Sequence, residues 1–180
     1  MAYLYESEIE EMAIGELQAL GYTYVSGNDL TPDTAPLERK TFADVILRDR
    51  CLNALKRINP QLPDVAIETA LKSLYQVVGT YQVTDNESFH RFLTDGIPVE
   101  YRKHGNMVGD NAYLIDPSDS PGKNDFLAVN QFTIIEKGIN KRPDIIIFVN
   151  GLPLVTFELK NAADLNATIK KAYEQIKTYK

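Results

Sequence analysis

The chain has 180 residues, of which 44% are hydrophobic and 24% charged, and this composition is typical of a globular domain with a sizeable core. Its net charge of −6 argues against a general nucleic-acid coat protein, but not against a nuclease with an acidic active site. The single cysteine, Cys51, excludes an internal disulfide framework and fits a reducing compartment. We find no signal peptide and no apolar run approaching the ~20 residues of a membrane span, so we expect a cytoplasmic protein without membrane contact.

The first half of the sequence is predicted to be largely helical. Apolar residues recur at helical spacing over residues 6–20, and Gly21 stands where a helix often ends. Residues 22–27 are expected to form a short extended exit, followed by a turn-rich loop over residues 28–36. Further helices are predicted over residues 37–58, 63–78 and 85–93.

The second half changes towards the two-residue period of strands. Asn150 and Gly151 lie between two apolar runs, and this pair is the strongest short-range signal for a hairpin. Upstream we expect a second hairpin, with strands over residues 99–103 and 111–115 around a turn at residues 104–106. A loop over residues 117–124, a long strand over residues 126–136 and a basic turn over residues 137–142 follow. A final helix is predicted over residues 166–180.

Three ionisable residues are expected at the open end of the Asn150–Gly151 hairpin. Asp144 begins its first strand, and Glu158 and Lys160, two residues apart and therefore on one face, end its second strand. Two carboxylates about 4 Å apart repel by roughly 4 kcal/mol, so one takes up a proton or a cation lies between them. Mg²⁺ binds one or two carboxylates together with waters and a substrate phosphate, and a lysine can orient water or offset phosphoryl charge. This pattern predicts phosphodiester hydrolysis; strand-end salt bridges are the alternative.

Hairpin geometry imposes a condition on this site. With a regular two-residue loop, Asp144 pairs with Phe157 and faces away from Glu158 and Lys160. One strand must therefore carry an extra residue. We predict a β-bulge, either at Gly151 or near Pro153, because proline cannot donate to the ladder.

The same residues resemble a known nuclease motif. Pro143 and Asp144, followed by Glu158–Leu159–Lys160 at the end of the next strand, are similar to the signature of the PD-(D/E)xK nuclease superfamily. Gln175 and Tyr179 match the Gln-x-x-x-Tyr element of its RecB-like branch, and four-residue spacing places both on one side of the final helix.

Longer runs resemble the amino-terminal nuclease domain of the restriction (R) subunit of type I restriction enzymes. They span most of the chain and comprise residues 10–22, 93–101, 124–133 and 142–161. The resemblance implies an α/β, restriction-endonuclease-like fold: a mixed β-sheet flanked by helices in an αβββαβ core, with helices inserted over residues 37–93 and the last core strand missing. It also implies that residues 1–180 form one endonuclease domain at the amino terminus of a longer, motor-containing subunit.

The resemblance also implies roles for individual residues. Asp144 and Glu158 would bind Mg²⁺, and Lys160 would assist catalysis. A glutamate of the first helix would complete or support the metal site; Glu10 fits the pattern better than Glu6, because of its separation from residues 21–22.

Four other residues are candidates for contacts around this site. The resemblance implies that Gln175 and Tyr179 position DNA or the catalytic lysine. Lys141 and Arg142 adjoin the proposed site in sequence, where they can hold phosphates or belong to a solvated turn.

In the family, this domain precedes helicase-like motor domains that use ATP to translocate double-stranded DNA, and the subunit joins methylation and specificity subunits. Because the chain has no Gly-x-x-x-x-Gly-Lys-Ser/Thr phosphate loop, we expect ATP to act only through the motor domains. The expected activity is Mg²⁺-dependent endonucleolytic cleavage of DNA in a type I restriction-modification system. The alternatives are another PD-(D/E)xK nuclease of repair or recombination, and a catalytically silent docking module.

Overall fold

The computed structural model of the chain describes residues 5–35, 37–78, 83–118, 122–160 and 168–178. The helices are α1 (Glu6–Ala19), α2 (Arg48–Ile58), α3 (Asp64–Val78), α4 (Val83–Asp95) and α5 (Ile169–Lys177). The strands are β1 (Thr23–Ser26), β2 (Ile97–Lys103), β3 (Asn106–Ala112), β4 (Phe126–Asn130), β5 (Ile134–Glu136), β6 (Ile139–Lys141), β7 (Ile145–Val149) and β8 (Leu152–Phe157). Within these ranges, no helix has both the length and the apolar character that crossing a bilayer requires.

The chain divides into two compact units. The sheet unit comprises Met1–Leu47 and Phe126–Lys180, and the helical unit comprises Arg48–Asp125. The main sheet lies in the sheet unit and has the strand order β1-β4-β7-β8. Strand β1 is parallel to β4, whereas β4–β7 and β7–β8 are antiparallel. The predicted α/β class with a mixed sheet flanked by helices is therefore confirmed, and residues 22–27 contain a strand of that sheet rather than only an extended exit.

The two faces of the central strands carry separate apolar clusters. Because side chains alternate along a strand, Ala128, Ile145 and Ile147 project to one face, where they pack with Ile14 of α1. The opposite face carries a second cluster that consists of Leu30, Leu47, Leu127, Val129, Phe132, Ile146 and Phe148. Burial on both faces explains why β4 and β7 read as continuous apolar runs. Packing on the first face fixes α1 against the sheet.

The helix predicted over residues 37–58 begins only at Arg48, so the first part of that prediction is wrong. Residues 37–47 contain no regular helix among those described, and Leu47 is buried with its N–H donating to the carbonyl of Gly151 at 2.9 Å. Arg39 is only 3% exposed; its Nε donates to the carbonyl of Leu30 at 2.6 Å. These tertiary contacts override the local helical preference of the segment.

The strand predicted over residues 126–136 is interrupted in the structure. Its first part is β4, which ends at Asn130. Gln131 then has a positive φ of 50°, and the next strand, β5, begins at Ile134. The residues predicted as a basic turn instead continue into β6, so that only Lys137 and Gly138 form a turn, with φ of 50° and 78°. The break at Gln131 matters for the site described below.

The helical unit packs α3 against α2, α4 and the β2–β3 hairpin. The buried side chain of Asn59 joins the end of α2 to the segment after β3, because its amide donates to the carbonyls of Leu55 at 2.8 Å and Tyr113 at 2.9 Å. It also accepts the N–H of Tyr113 at 2.8 Å. Strand β3 begins earlier than predicted, at Asn106, directly after a turn at residues 104–105.

Candidate functional site

The β7–β8 hairpin contains the predicted bulge. Asn150 and Gly151 have φ of 54° and 76° and form a two-residue turn of the type that matches strand twist. The ladder pairs Phe148 with Pro153 but Ile147 with Val155, so that Leu154 is an extra residue on β8. The prediction of a bulge near Pro153 is confirmed, and the alternative position at Gly151 is not used.

This extra residue changes which residues lie opposite each other at the open end of the hairpin. The register beyond the bulge pairs Ile145 with Phe157, so the next residues out, Asp144 and Glu158, lie opposite each other. The main-chain N–H of Leu159 donates to Oδ2 of Asp144 at 2.6 Å. Asp144 and the Glu158–Lys160 segment are therefore brought together, as the sequence motif requires.

Glu158 and Lys160 form an ion pair, as expected for residues on the same side of the chain. Nζ of Lys160 lies 2.8 Å from Oε1 of Glu158, with side-chain exposures of 25% and 1%, respectively. Burial alone would lower the pKa of Lys160, but the hydrogen bond and charge of Glu158, with further contributions from Asp144 and Glu6, raise it above its ordinary value. Lys160 is therefore positively charged at neutral pH.

Asp144 lies in an environment that disfavours its negative charge. Burial raises the pKa of its carboxyl group, the hydrogen bond from Leu159 lowers it, and the charges of Glu158 and Glu10 raise it further. Lys160 offsets part of this effect, but the pKa remains above its ordinary value of 3.8. A divalent cation would relieve this concentration of negative charge.

Glu10 of α1 is anchored beside the same end of the sheet. Its Oε1 accepts from Nδ2 of Asn130 at 2.7 Å, and its Oε2 accepts from Nε2 of Gln131 at 2.6 Å. Oδ1 of Asn130 in turn accepts from the hydroxyl of Tyr24 at 3.1 Å. Glu10 was predicted from the sequence, whereas Asn130, Gln131 and Tyr24 were not. The first two form a pair of consecutive amides that begins at the last residue of β4.

Of the four other predicted residues, the structure describes Lys141, Arg142 and Gln175. Lys141 ends β6 as a half-buried residue, and the exposed Arg142 follows it, two positions before Asp144. Gln175 lies on α5 with an exposed side chain. Tyr179 lies outside the described residues. The roles assigned to these four residues stay predictions.

The donor set of the site suits a hard divalent cation. Asp144, Glu158 and Glu10 offer carboxylate oxygens, the ligands that Mg²⁺ prefers. In the part of the chain that is described, no three His, Cys, Asp or Glu side chains form a ready-made metal cage. Mg²⁺ does not need one, because it keeps several waters and commonly takes one or two protein carboxylates with substrate phosphates.

Comparisons with known proteins place the chain in a family. The family described as Type I restriction enzyme R protein N terminus matches residues 3–180. The chain is similar to the type I restriction enzyme HindI endonuclease subunit of Haemophilus influenzae, with 38% identity over 178 residues that cover 98% of this chain and 17% of that subunit. It is also similar to the putative type I restriction enzyme MjaIXP endonuclease subunit of Methanocaldococcus jannaschii, with 36% identity over 177 residues that cover 94% of this chain and 16% of that subunit. The chain thus spans about one sixth of the length of these relatives. It belongs to the family of type I restriction enzyme R protein amino-terminal domains.

Proposed function

We propose that this chain is the Mg²⁺-dependent endonuclease domain of a type I restriction enzyme R subunit and hydrolyses phosphodiester bonds of double-stranded DNA. The observation that carries the proposal is the bulge at Leu154, which brings Asp144 opposite Glu158, with Lys160 paired to Glu158. Two carboxylates and one ammonium group at the open end of the hairpin contribute little to packing. They suit phosphodiester hydrolysis.

Asp144 and Glu158 would hold the cation, and Glu10 would complete or support the site. When bound, Mg²⁺ supplies a more acidic water and stabilises charge on phosphoryl oxygens. Lys160 contributes a fixed positive charge that orients water or offsets the charge developing on the phosphate. Its pairing with Glu158 keeps the ammonium group beside the carboxylates until DNA is bound.

Lys141 and Arg142 would contact DNA phosphates next to the reacting bond. Arg142 is exposed and Lys141 half-buried, and both precede Asp144 by two or three residues. Such contacts position the duplex without reading its sequence. Gln175 and Tyr179 would position either the DNA or Lys160.

The wider assembly follows from the relatives. Both are named as endonuclease subunits of type I restriction enzymes, and each is about six times as long as the matched region. We therefore propose that this domain acts in the cytoplasm within a longer subunit, with ATP-driven motor domains in the same chain and with methylation and specificity subunits as partners.

The proposal is tested by replacing Lys160 in the full-length subunit, assembled with its partners, and by measuring DNA cleavage and ATP-driven translocation separately. Lys160→Ala is expected to lower cleavage by on the order of 10²- to 10³-fold, while translocation continues. Lys72→Ala, at an exposed lysine of α3, is the matched control and should cleave normally. Undiminished cleavage by Lys160→Ala, or loss of both activities, would contradict the proposal.

A further inference from the structure

Two neutral amides hold both oxygens of the Glu10 carboxylate. Asn130 and Gln131 each donate one hydrogen bond, at 2.7 Å and 2.6 Å, and each bond goes to a different oxygen. An ionised carboxylate has about four lone-pair directions, so these two bonds use only half of its capacity. The carboxylate is fixed in place while it can still accept a cation.

The Asn130 amide makes one further hydrogen bond. The hydroxyl of Tyr24 donates to Oδ1 of Asn130, and this leaves Nδ2 directed at Glu10. An ionised carboxylate only accepts hydrogen bonds, so the reverse orientation of the amide would place two acceptors against each other. Glu10 therefore selects the orientation of the amide, and Tyr24 adds a second hydrogen bond that holds the Asn130 side chain in place.

Gln131 is also tied to Asp144 through the main chain. The main-chain N–H of Gln131 donates to the carbonyl of Asp144 at 2.9 Å. The backbone around Asn130 and Gln131 is closely confined, because a Cβ atom on Gly27 would lie 2.6 Å from the carbonyl oxygen of Gln131 and nearer still to that of Asn130. A single short segment thus sets the position of Glu10 relative to Asp144.

The chemistry of the donors favours a metal-supporting role over a simple brace for α1. A lysine or arginine in their place would neutralise Glu10 and compete with a cation. Amides satisfy the carboxylate but leave its charge unchanged, so the electrostatic attraction for a divalent ion is retained. Residues that orient metal ligands in this way typically affect metal affinity by 10- to 100-fold when they are replaced.

We propose that Asn130 and Gln131 are positioning residues that hold the carboxylate of Glu10 towards the cation shared with Asp144, and that the hydrogen bond from Tyr24 holds the Asn130 side chain in place. This inference rests on the proposed metal-dependent function. It assigns these residues no direct contact with DNA or with the reacting atoms.

The test is calorimetric titration of the chain with Mn²⁺ alone, combined with thermal unfolding in EDTA. Asn130→Ala and Gln131→Ala are expected to raise the Kd for Mn²⁺ by about 10- to 100-fold. Tyr24→Phe, which leaves both amides in place, should raise it severalfold. Gln18→Ala, at an exposed glutamine of the same helix as Glu10, is the matched control and should bind as the wild type does. In the assembled full-length subunit, raised Mn²⁺ concentration should restore cleavage by the Asn130 and Gln131 variants.

The outcomes separate this inference from the proposed function. If the wild type binds Mn²⁺ and Asp144→Ala does not, but Asn130→Ala and Gln131→Ala bind normally, the proposed function stands and the positioning role is overturned. A lower Tm with an unchanged Kd would likewise assign these residues a purely structural role. If the alanine variants do not fold, the Kd of Tyr24→Phe decides: a severalfold rise supports the role, and a wild-type value overturns it. Absence of Mn²⁺ binding by the wild type would overturn both proposals.

Discussion

Leu159 donates its main-chain N–H to Oδ2 of Asp144 at 2.6 Å, across a hairpin that separates the two residues by 15 positions. This bond exists because β8 carries one extra residue relative to β7, between the residues that pair with Phe148 and Ile147. The chemistry proposed for the chain therefore depends on a local feature of the backbone as much as on the identity of three side chains.

Deleting Leu154 should destroy the cation site without unfolding the sheet. Without the extra residue, Glu158 and Lys160 shift by one position and their side chains move to the other face of β8. The residues between them and the bulge, 155–157, are exposed, so their reversal costs little core packing. We expect Mn²⁺ binding to fall below detection in a calorimetric titration, with retained circular dichroism.

The control for this deletion is Leu154→Ala, which shortens the side chain but keeps the extra residue. It should bind Mn²⁺ almost as well as the wild type. Equal Mn²⁺ affinity in the deletion variant and the wild type would show that the bulge does not organise the site.

Asp144→Asn should stabilise the metal-free protein at neutral pH. The pKa of Asp144 is raised by burial and by Glu158 and Glu10, so the folded state holds this proton more tightly than the unfolded state. Wild-type stability therefore falls as the pH rises from the ordinary value of 3.8 through the raised pKa, and the full destabilisation is reached above that raised pKa. In EDTA, the Tm of the variant should exceed that of the wild type at pH 7.

This difference in Tm should shrink as the pH approaches 3.8 and the wild-type carboxyl group becomes protonated in both states. Asp95→Asn, at an exposed aspartate that ends α4, is the matched control and should shift the Tm little. A Tm for Asp144→Asn at or below the wild-type value at pH 7 would refute the electrostatic description of the site.

Gly27→Ala should disturb the segment that holds Glu10. The added Cβ would lie 2.6 Å from the carbonyl oxygen of Gln131, so the backbone must move. We expect a loss of about 1–3 kcal/mol in the free energy of unfolding, measured by chemical denaturation, together with weaker Mn²⁺ binding. Gly15→Ala is the control: nothing lies within 4 Å of its Cβ, and alanine at this helical position should stabilise by about 0.5–1 kcal/mol. Equal stability of Gly27→Ala and the wild type would contradict the close approach.

Arg39→Lys should destabilise the protein although the formal charge is retained. The guanidinium carbon of Arg39 lies 3.9 Å from the ring centroid of Phe132, and its two Nη atoms are buried with no hydrogen-bond partner among the described residues. Burial lowers the pKa of Arg39 to about 10, with partial compensation by Asp44. A lysine cannot stack in this way and is more strongly hydrated, so we expect a loss of about 2 kcal/mol by chemical denaturation. The exposed Arg48→Lys should change the stability by less than about 0.5 kcal/mol, and a similarly small effect at Arg39 would contradict the stacking role.

The features that the sequence predicted well are local ones. The turn at Asn150 and Gly151 depends only on two residues that tolerate positive φ. The contact between Glu158 and Lys160 follows from their two-residue spacing, although β8 itself ends at Phe157, one residue before Glu158. The bulge was predictable because a regular hairpin could not bring Asp144 to that face.

The features that were missed depend on contacts between distant parts of the chain. Asn130 and Gln131 reach Glu10 across 120 and 121 residues, and no local pattern marks such a pairing. Arg39 belongs to the segment that was predicted as the start of a helix over residues 37–58, whereas its burial against Phe132 is set by tertiary packing. Local propensity does not contain this information.

The most direct test of the central claim is to crystallise the chain with Mn²⁺ and to locate the ion by anomalous diffraction. The account predicts one or more peaks at the open end of the β7–β8 hairpin, with carboxylate oxygens of Asp144 and Glu158 as ligands at about 2.1 Å. Glu10 should lie beside them, still held by Asn130 and Gln131. If ordered Mn²⁺ is found only elsewhere, or if Asp144 and Glu158 face different sides of the sheet, the proposed cation site is refuted.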